Sequence, residues 1–263
     1  MSLLLHITDT HLFADPEGQL KGLATRESFA AVTAKACEAF PDCDAVILGG
    51  DLAQDQSKEA YRSIARVMLD CDAPVHAIVG NHDDPVVMKE ALNPTVRFKN
   101  STSALRLGGW QILLLNSQDA GKVSGRLSEA DLEKLDALMR EGKDLHQLIV
   151  IHHHPIPVGS AWMDNIMVAN SEAFWQVADK HDSLRGVLFG HVHQAFDDMR
   201  NNVRLLGSPS TTVQFKPGED DFLMDNLSPG YRWLKLLDDG SIETGVERVE
   251  GFIPDDLLDL TGY

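Results

Sequence analysis

Apolar residues in the first 190 positions gather into short runs separated by stretches of helical spacing. The runs are Leu3-Leu4-Leu5, Ala45-Val46-Ile47-Leu48, residues 75–79, residues 110–115, Leu148-Ile149-Val150-Ile151 and Val187-Leu188-Phe189. Such runs, bounded by turn residues, predict buried strands. Between them apolar positions recur three or four apart. Residues 26–40 predict a helix that buries Phe29, Val32, Ala36 and Phe40, and residues 57–69 one that buries Tyr61, Ile64, Ala65 and Met68. Ser128 predicts an N-cap, with Glu129 and Asp131 in the first turn where carboxylates suit the helix dipole. Leu132, Leu135, Leu138 and Met139 form that helix's inner face, and residues 171–181 predict a further helix.

Beyond residue 194 the pattern shifts to short strands at 203–206, 211–215, 231–237 and 242–249, with Asp238-Asp239-Gly240-Ser241 as a hairpin turn. This half predicts a largely antiparallel sheet. Two mixed sheets with helices outside make a four-layer α/β/β/α sandwich. No repeat or low-complexity linker interrupts the chain, so residues 1–250 read as one domain and 251–263 as a loosely held tail.

The chain has 263 residues, 43% of them hydrophobic and 24% charged, enough for an ordinary core. Its formal net charge of -17 opposes nucleic-acid binding and attraction to anionic membranes. An anionic substrate therefore needs local positive charge, which bound cations supply. Cys37, Cys43 and Cys71 form no CxxC pair, so disulfides are not expected and a reducing, cytoplasmic setting suits the count. No apolar stretch is long enough to span a bilayer, and the first apolar run is too short for a signal sequence.

Candidate chemistry sits where the apolar runs end. Five clusters follow five runs: Asp9-Thr10-His11, Gly50-Asp51, Gly80-Asn81-His82-Asp83, His152-His153-His154 and Gly190-His191-Val192-His193. Open α/β sheets bind ligands outside the carboxyl ends of their strands, so the clusters are expected on one rim. Each alone has a bland reading as a cap, a turn or a core histidine. All five together point to metal. Imidazole, carboxylate and amide ligands without thiolate suit Mn, Fe, Zn or Co. One carboxylate can bridge two ions, and paired ions serve phosphate-ester hydrolysis.

The ordered set DxH, GD, GNHD, H and GHxH resembles the calcineurin-like binuclear metallophosphoesterase superfamily over residues 3–193. The stretches around Asp9, Asp51 and Pro155, with Pro209-Ser210-Thr211-Thr212-Val213-Gln214-Phe215-Lys216-Pro217, further resemble bacterial class III 3′,5′-cyclic-AMP phosphodiesterases. The resemblance implies one ion held by Asp9, His11, Asp51 and His193, and another by Asp51, Asn81, His153 and His191. His153 is selected among the three consecutive histidines because the family's ligand usually lies two positions before the proline. The resemblance also implies His82 as the catalytic non-ligand histidine, and substrate phosphate against His11, Asp51, Asn81, His82 and His193. A hydroxide bridging the ions, Mn or Fe first and Zn or Co next, would open cyclic AMP to 5′-AMP. Alternatives are a broader phosphodiesterase, acting on glycerophosphodiesters or 2′,3′-cyclic nucleotides, and a silent scaffold of the same fold. The expected partner is a small cyclic nucleotide, with neither nucleic acid nor membrane, and a homodimer is allowed for.

Other residues carry open readings. Asp83 either orients His82 or is a turn residue. Trp162, Met163 and Asp164 either line a base pocket or pack a loop. Residues 211–217 either border the site through Gln214 or Lys216 or form a plain hairpin strand. His6, His76, His146 and His181 read as structural or surface residues.

Overall fold

A computed structural model describes residues 1–92, 95–98, 100–254 and 257. Most of the expected tail lies outside these described residues. The first sheet comprises β1 (Ser2–Ile7), β2 (Ala45–Leu48), β3 (Val75–Ala77), β4 (Val96–Phe98), β11 (Gly230–Leu236) and β12 (Ile242–Arg248), in the order β12-β11-β1-β2-β3-β4. The second comprises β5 (Ser103–Leu107), β6 (Trp110–Leu114), β7 (His146–Ile151), β8 (Leu184–Phe189), β9 (Phe196–Arg200) and β10 (Val203–Gly207), in the order β9-β10-β8-β7-β6-β5. The centre of each sheet is parallel, and antiparallel strands occupy one or both edges.

Three apolar layers hold these sheets. Leu4, Ile47, Leu148, Val150, Leu188 and Trp110 fill the space between the sheets. Helices α1 (Thr25–Ala39), α2 (Lys58–Val67) and α3 (Pro85–Leu92) cover the first sheet through residues such as Phe29, Ile64 and Met88. Helices α4 (Glu129–Glu141) and α5 (Ser171–Ala178) cover the second through Leu135, Met139 and Phe174. The four-layer α/β/β/α sandwich is therefore present. Ser57 and Ser128 cap their helices by accepting from Ala60 N and Asp131 N at 3.1 Å, an interaction worth roughly 1 kcal/mol.

Three differences from the sequence reading have physical causes. The strands after residue 194 do not form one large sheet of their own; only Gln214–Phe215 and Met224–Asp225 pair apart, as a two-stranded antiparallel ribbon. β9 and β10 extend the second sheet, with β10 parallel to β8, while β11 and β12 extend the first beside β1. Local periodicity marks a strand but not its long-range partner. Helix α3 is an addition. Asp84 caps it by accepting from the backbone N–H of Val86 and Val87, and Pro85 takes the first helical position, where its missing N–H costs nothing. Finally, Cys37 on α1 and Cys71 are joined in a disulfide, Cα–Cα 5.9 Å, contrary to the expectation of free thiols; Cys43 is free. The sequence separation of 34 between Cys37 and Cys71 hid their proximity, which arises because α1 packs beside the end of α2.

Candidate metal centre

All five clusters lie just beyond the carboxyl ends of β1, β2, β3, β7 and β8. The backbone turns sharply there. Asp9, His11, Asp51, His191 and His193 have φ of 56°, 46°, 51°, 64° and 47°. Left-handed backbone is uncommon for residues with a Cβ, and such strain gathers at functional sites. It lets each short segment turn its side chain back toward the cleft between the sheets. Gly80 has no Cβ because one there would collide with the Asp51 carboxylate.

The side chains converge. Asp9, His11 and His193 bring one ligand atom each within 4.8 Å of one another, as do Asp9, Asp51 and His152. His152, His153 and His191 form a third such group, and His11, Asp51 and His82 a fourth. Asp51 stands between: its Oδ2 is 3.3 Å from His152 Nε2 and 4.0 Å from His11 Nε2. His152 Nε2 is also 3.3 Å from Asn81 Oδ1.

Hydrogen bonds fix which ring nitrogen each histidine offers. His11 donates Nδ1–H to Gln54 Oε1 at 2.6 Å, His193 donates to Val213 O at 2.8 Å, and His152 to Gly49 O at 2.8 Å. Each therefore turns its Nε2 inward, the arrangement in which an outer carbonyl orients a metal-binding imidazole. His11 Nε2 and His193 Nε2 then face each other at 3.3 Å, lone pair against lone pair. His152 Nε2 likewise faces the oxygens of Asp51 and Asn81. Asp51 Oδ2 and His191 Nε2 are buried and make no hydrogen bond. A cation resolves all of these contacts at once, so the residues present fit metal ions.

His153 differs from its expected placement. Its Nδ1 accepts from Ser117 Oγ at 2.8 Å, and its Nε2–H donates to Val123 O at 3.0 Å. Both ring nitrogens are thus engaged although His153 lies in the third group, whereas His152 Nε2 is 3.3 Å from Asp51 Oδ2. Because β7 ends at Ile151, all three histidines lie in the bend beyond it, where strand alternation no longer assigns their directions. His154 packs against Phe189 and stacks on His191.

Burial disfavours charge throughout the centre. It is the largest influence on His11, holding its pKa at about 3. Burial also acts to raise the Asp51 carboxyl, but His152, His82 and His11 together overcome it and hold Asp51 well below the usual carboxylate range. Burial would lower His152, yet Asp51 and Asp9 lift it to about 9. The negative field that attracts a proton to His152 also attracts a metal ion.

The surrounding residues are fixed by contacts that sequence reasoning missed. Asp83 does not orient His82. Its carboxylate accepts from the backbone of Leu52, Ala53 and Gly80 and from Tyr61 Oη, at 3.0–3.1 Å, and so ties the Asp51 turn to the Asn81 turn. Burial, with Asp51 adding, pushes Asp83 up to about 7. Gln118 Nε2 donates to Gly80 O and Asp83 O at 2.9 and 2.6 Å; no sequence signal marked it. His82 N–H donates to Asp51 Oδ1 at 2.8 Å, and its half-buried ring stands edge-on to His11, centroids 5.1 Å apart. The segment after residue 210 does border the centre, but through the Val213 carbonyl and the Phe215 ring, which stacks on His193 at 4.1 Å. Gln214 instead braces the backbone of Ser210 and Thr212. Trp162 packs on Phe215 and Phe222, and Met163 is in the core, so they form a packed loop. His6 is a buried structural residue bonded to Ser208, and His181 pairs with Asp136.

A phosphoesterase centre of the binuclear type is the class this fold and ligand cluster define. Residues 3–195 match the model of the calcineurin-like phosphoesterases, and the chain belongs to that family. It is 38% identical to the 3′,5′-cyclic adenosine monophosphate phosphodiesterase CpdA of Pseudomonas aeruginosa, covering 99% of this chain and 95% of that protein. It is 39% identical to CpdA of Escherichia coli K12 over 94% of this chain and 89% of that protein. A dimetal phosphatase from Danio rerio shares the fold, with a TM-score of 0.70 at 17% identity, covering 94% and 98% of the two chains. No helix among the described residues is long and apolar enough to cross a membrane.

Proposed function

We propose that this chain hydrolyses the 3′,5′-phosphodiester of cyclic AMP to 5′-AMP with two divalent metal ions. The observation that carries the substrate is near-full-length identity to several CpdA proteins. The chemistry is supported by the paired ligand groups that meet at Asp51. Asp9, His11, Asp51 and His193 would hold one ion; Asp51, Asn81, His152 and His191 would hold the other. His152 takes the place expected of His153 because its Nε2 is directed at Asp51 and Asn81. The imidazole, carboxylate and amide donors suit Mn or Fe first, with Zn or Co also accommodated.

When bound, the ions supply an activated water and positive charge for the phosphoryl oxygens. The protein's own residues do the rest. Asp51, buried and held ionised, fixes the spacing of the two halves of the centre. His82 is anchored through its backbone to Asp51, beside the ligand Asn81, and its half-buried ring is placed to donate a proton to the departing ribose oxygen. His11, Asp51, Asn81, His82 and His193 surround the position of the phosphate.

Turnover of cyclic AMP against bis-p-nitrophenyl phosphate, with Mn²⁺ or Fe²⁺ present, tests the reading. Release of 5′-AMP supports it; cleavage of the generic diester without that of cyclic AMP removes the nucleotide assignment. A cytoplasmic setting belongs to the same reading. It asks that Cys37 and Cys71 be reduced there, since cytosolic thiols are kept open, and thiol counting on protein trapped directly from cells checks that.

A further inference from the structure

Beside His82 lies an open cavity of about 500 Å³ that extends outward from the hydrolytic centre. Asn81 and His82 form its inner end. One wall is the turn into α3, carrying Pro85 and Val86; the other is the loop after β6, carrying Gln118, Lys122 and Val123. We propose that this cavity is the base subsite, gripping the purine of the nucleotide between Val86 and Val123 while the phosphate sits at the metal centre. The proposal rests on the reading of a cyclic nucleotide as substrate and locates the part of it that lies beyond the phosphate.

Four observations carry it. The volume falls within the roughly 300–1,000 Å³ of small-molecule sites. The cavity adjoins both a candidate metal ligand, Asn81, and His82, so a molecule whose phosphate meets the centre can extend into it. Val86 and Val123 are 65% and 45% exposed, two of the few large apolar side chains left in water among the described residues, and they come from the two segments that line the cavity. A flat base covering them removes apolar surface from water. Finally, both walls are held in place before any ligand arrives. Gln118 ties its loop to the Asn81 turn through Gly80 O and Asp83 O. Asp84 caps the turn that carries Val86. His153 donates to the Val123 carbonyl, and a Cβ at Gly125 would meet the His153 ring at 2.5 Å, so this loop lies directly against the ring. The commitment of His153 to Ser117 and Val123 thus acquires a purpose: it is a positioning residue for the outer wall.

Product inhibition separates base from phosphate. With the Mn²⁺-loaded full chain, Ki is measured for 5′-AMP and for ribose 5-phosphate, which differ only in the base. Wild-type protein is expected to bind 5′-AMP at least tenfold more tightly. Val86→Asp and Val123→Asp are expected to bring the ratio to within about threefold of unity and to raise KM for cyclic AMP. Val86→Thr and Val123→Thr keep the side-chain shape and should move the ratio in the same direction, which covers any failure of the Asp variants to fold. Equal Ki values in the wild type, or a ratio that survives all four substitutions, overturn the subsite. Failure of the wild type to hydrolyse cyclic AMP while it cleaves bis-p-nitrophenyl phosphate overturns the substrate reading itself, and that result is distinguishable from the other two.

Discussion

The first sheet sends Asp9, His11, Asp51 and Asn81 into the centre from beyond β1, β2 and β3, whereas the second sends His152, His191 and His193 from beyond β7 and β8. One side contributes both carboxylates and the amide; the other contributes imidazoles alone. Neither carries the whole cluster. The centre is thus a property of the seam between the sheets, and its spacing is set by the apolar layer of Leu4, Ile47, Leu148, Val150 and Leu188 that lies between them. Hydrogen bonds across the seam reinforce this. The His191 backbone N–H donates to the Asp9 carboxylate, and the His152 ring donates to the Gly49 carbonyl. The acidic sheet orients the histidines of the other before any metal is bound.

Removing the shared carboxylate should break this arrangement most completely. Asp51→Ala takes away the carboxylate that stands between the two halves. The variant is expected to retain neither ion and no measurable turnover, read by metal analysis of purified protein alongside the cyclic AMP assay. Full metal content in this variant would mean that Asp51 does not join the halves.

The second test contrasts neighbours on the imidazole side. His152→Ala should empty the half of the centre that contains Asn81 and His191. His153→Ala should keep both ions, because its ring nitrogens are engaged by Ser117 and Val123. Metal stoichiometry of the two variants decides the assignment, and the opposite result restores His153 as the ligand.

These neighbours also show where sequence stops being informative. Each ligand-bearing segment was legible because a buried strand shows as an apolar run and its end shows as Gly, Asp or His. The layer order was legible from the alternation of runs with amphipathic stretches. The choice between His152 and His153 was not, because ring direction in a bend depends on tertiary hydrogen bonds to Gly49, Ser117 and Val123, residues 30 to 103 positions away. The left-handed backbone at five candidate ligands was equally invisible, since none of them is glycine. Gln54, Gln118 and Val213 act through single contacts that follow from no periodicity. The destination of the last strands failed for a related reason: β11 completes the first sheet across more than 220 residues of chain, and its pattern is the same whichever edge it joins.

A smaller effect is expected where the acidic side offers a group that is not a ligand. His82→Ala should keep both ions and lose roughly 10²–10⁴ in kcat, the usual worth of a proton donor in the transition state. Its backbone N–H, and with it the hydrogen bond to Asp51, survives the substitution. The loss should lie in kcat rather than in metal content, and it should shrink for a diester whose leaving group needs no proton, such as bis-p-nitrophenyl phosphate. An equal loss on both substrates would point to phosphate binding instead.

The sheets differ once more in their outer helical layers. Those of the first sheet are tied by Cys37–Cys71, while the second sheet's helices hold no cysteine. Closing a 34-residue span restricts the unfolded chain by up to about 4 kcal/mol. The bridge is remote from the ligands, so reduction should lower the urea midpoint while leaving turnover of the folded protein within about twofold. Cys37→Ser and Cys71→Ser should each match reduced wild type in stability, and further reductant should not change them. Three titratable thiols in denatured protein that was never exposed to reductant would show that the crosslink does not form. A parallel fall in kcat on reduction would show that α1 and α2 transmit strain through Tyr61 and Asp83 to the acidic half of the centre.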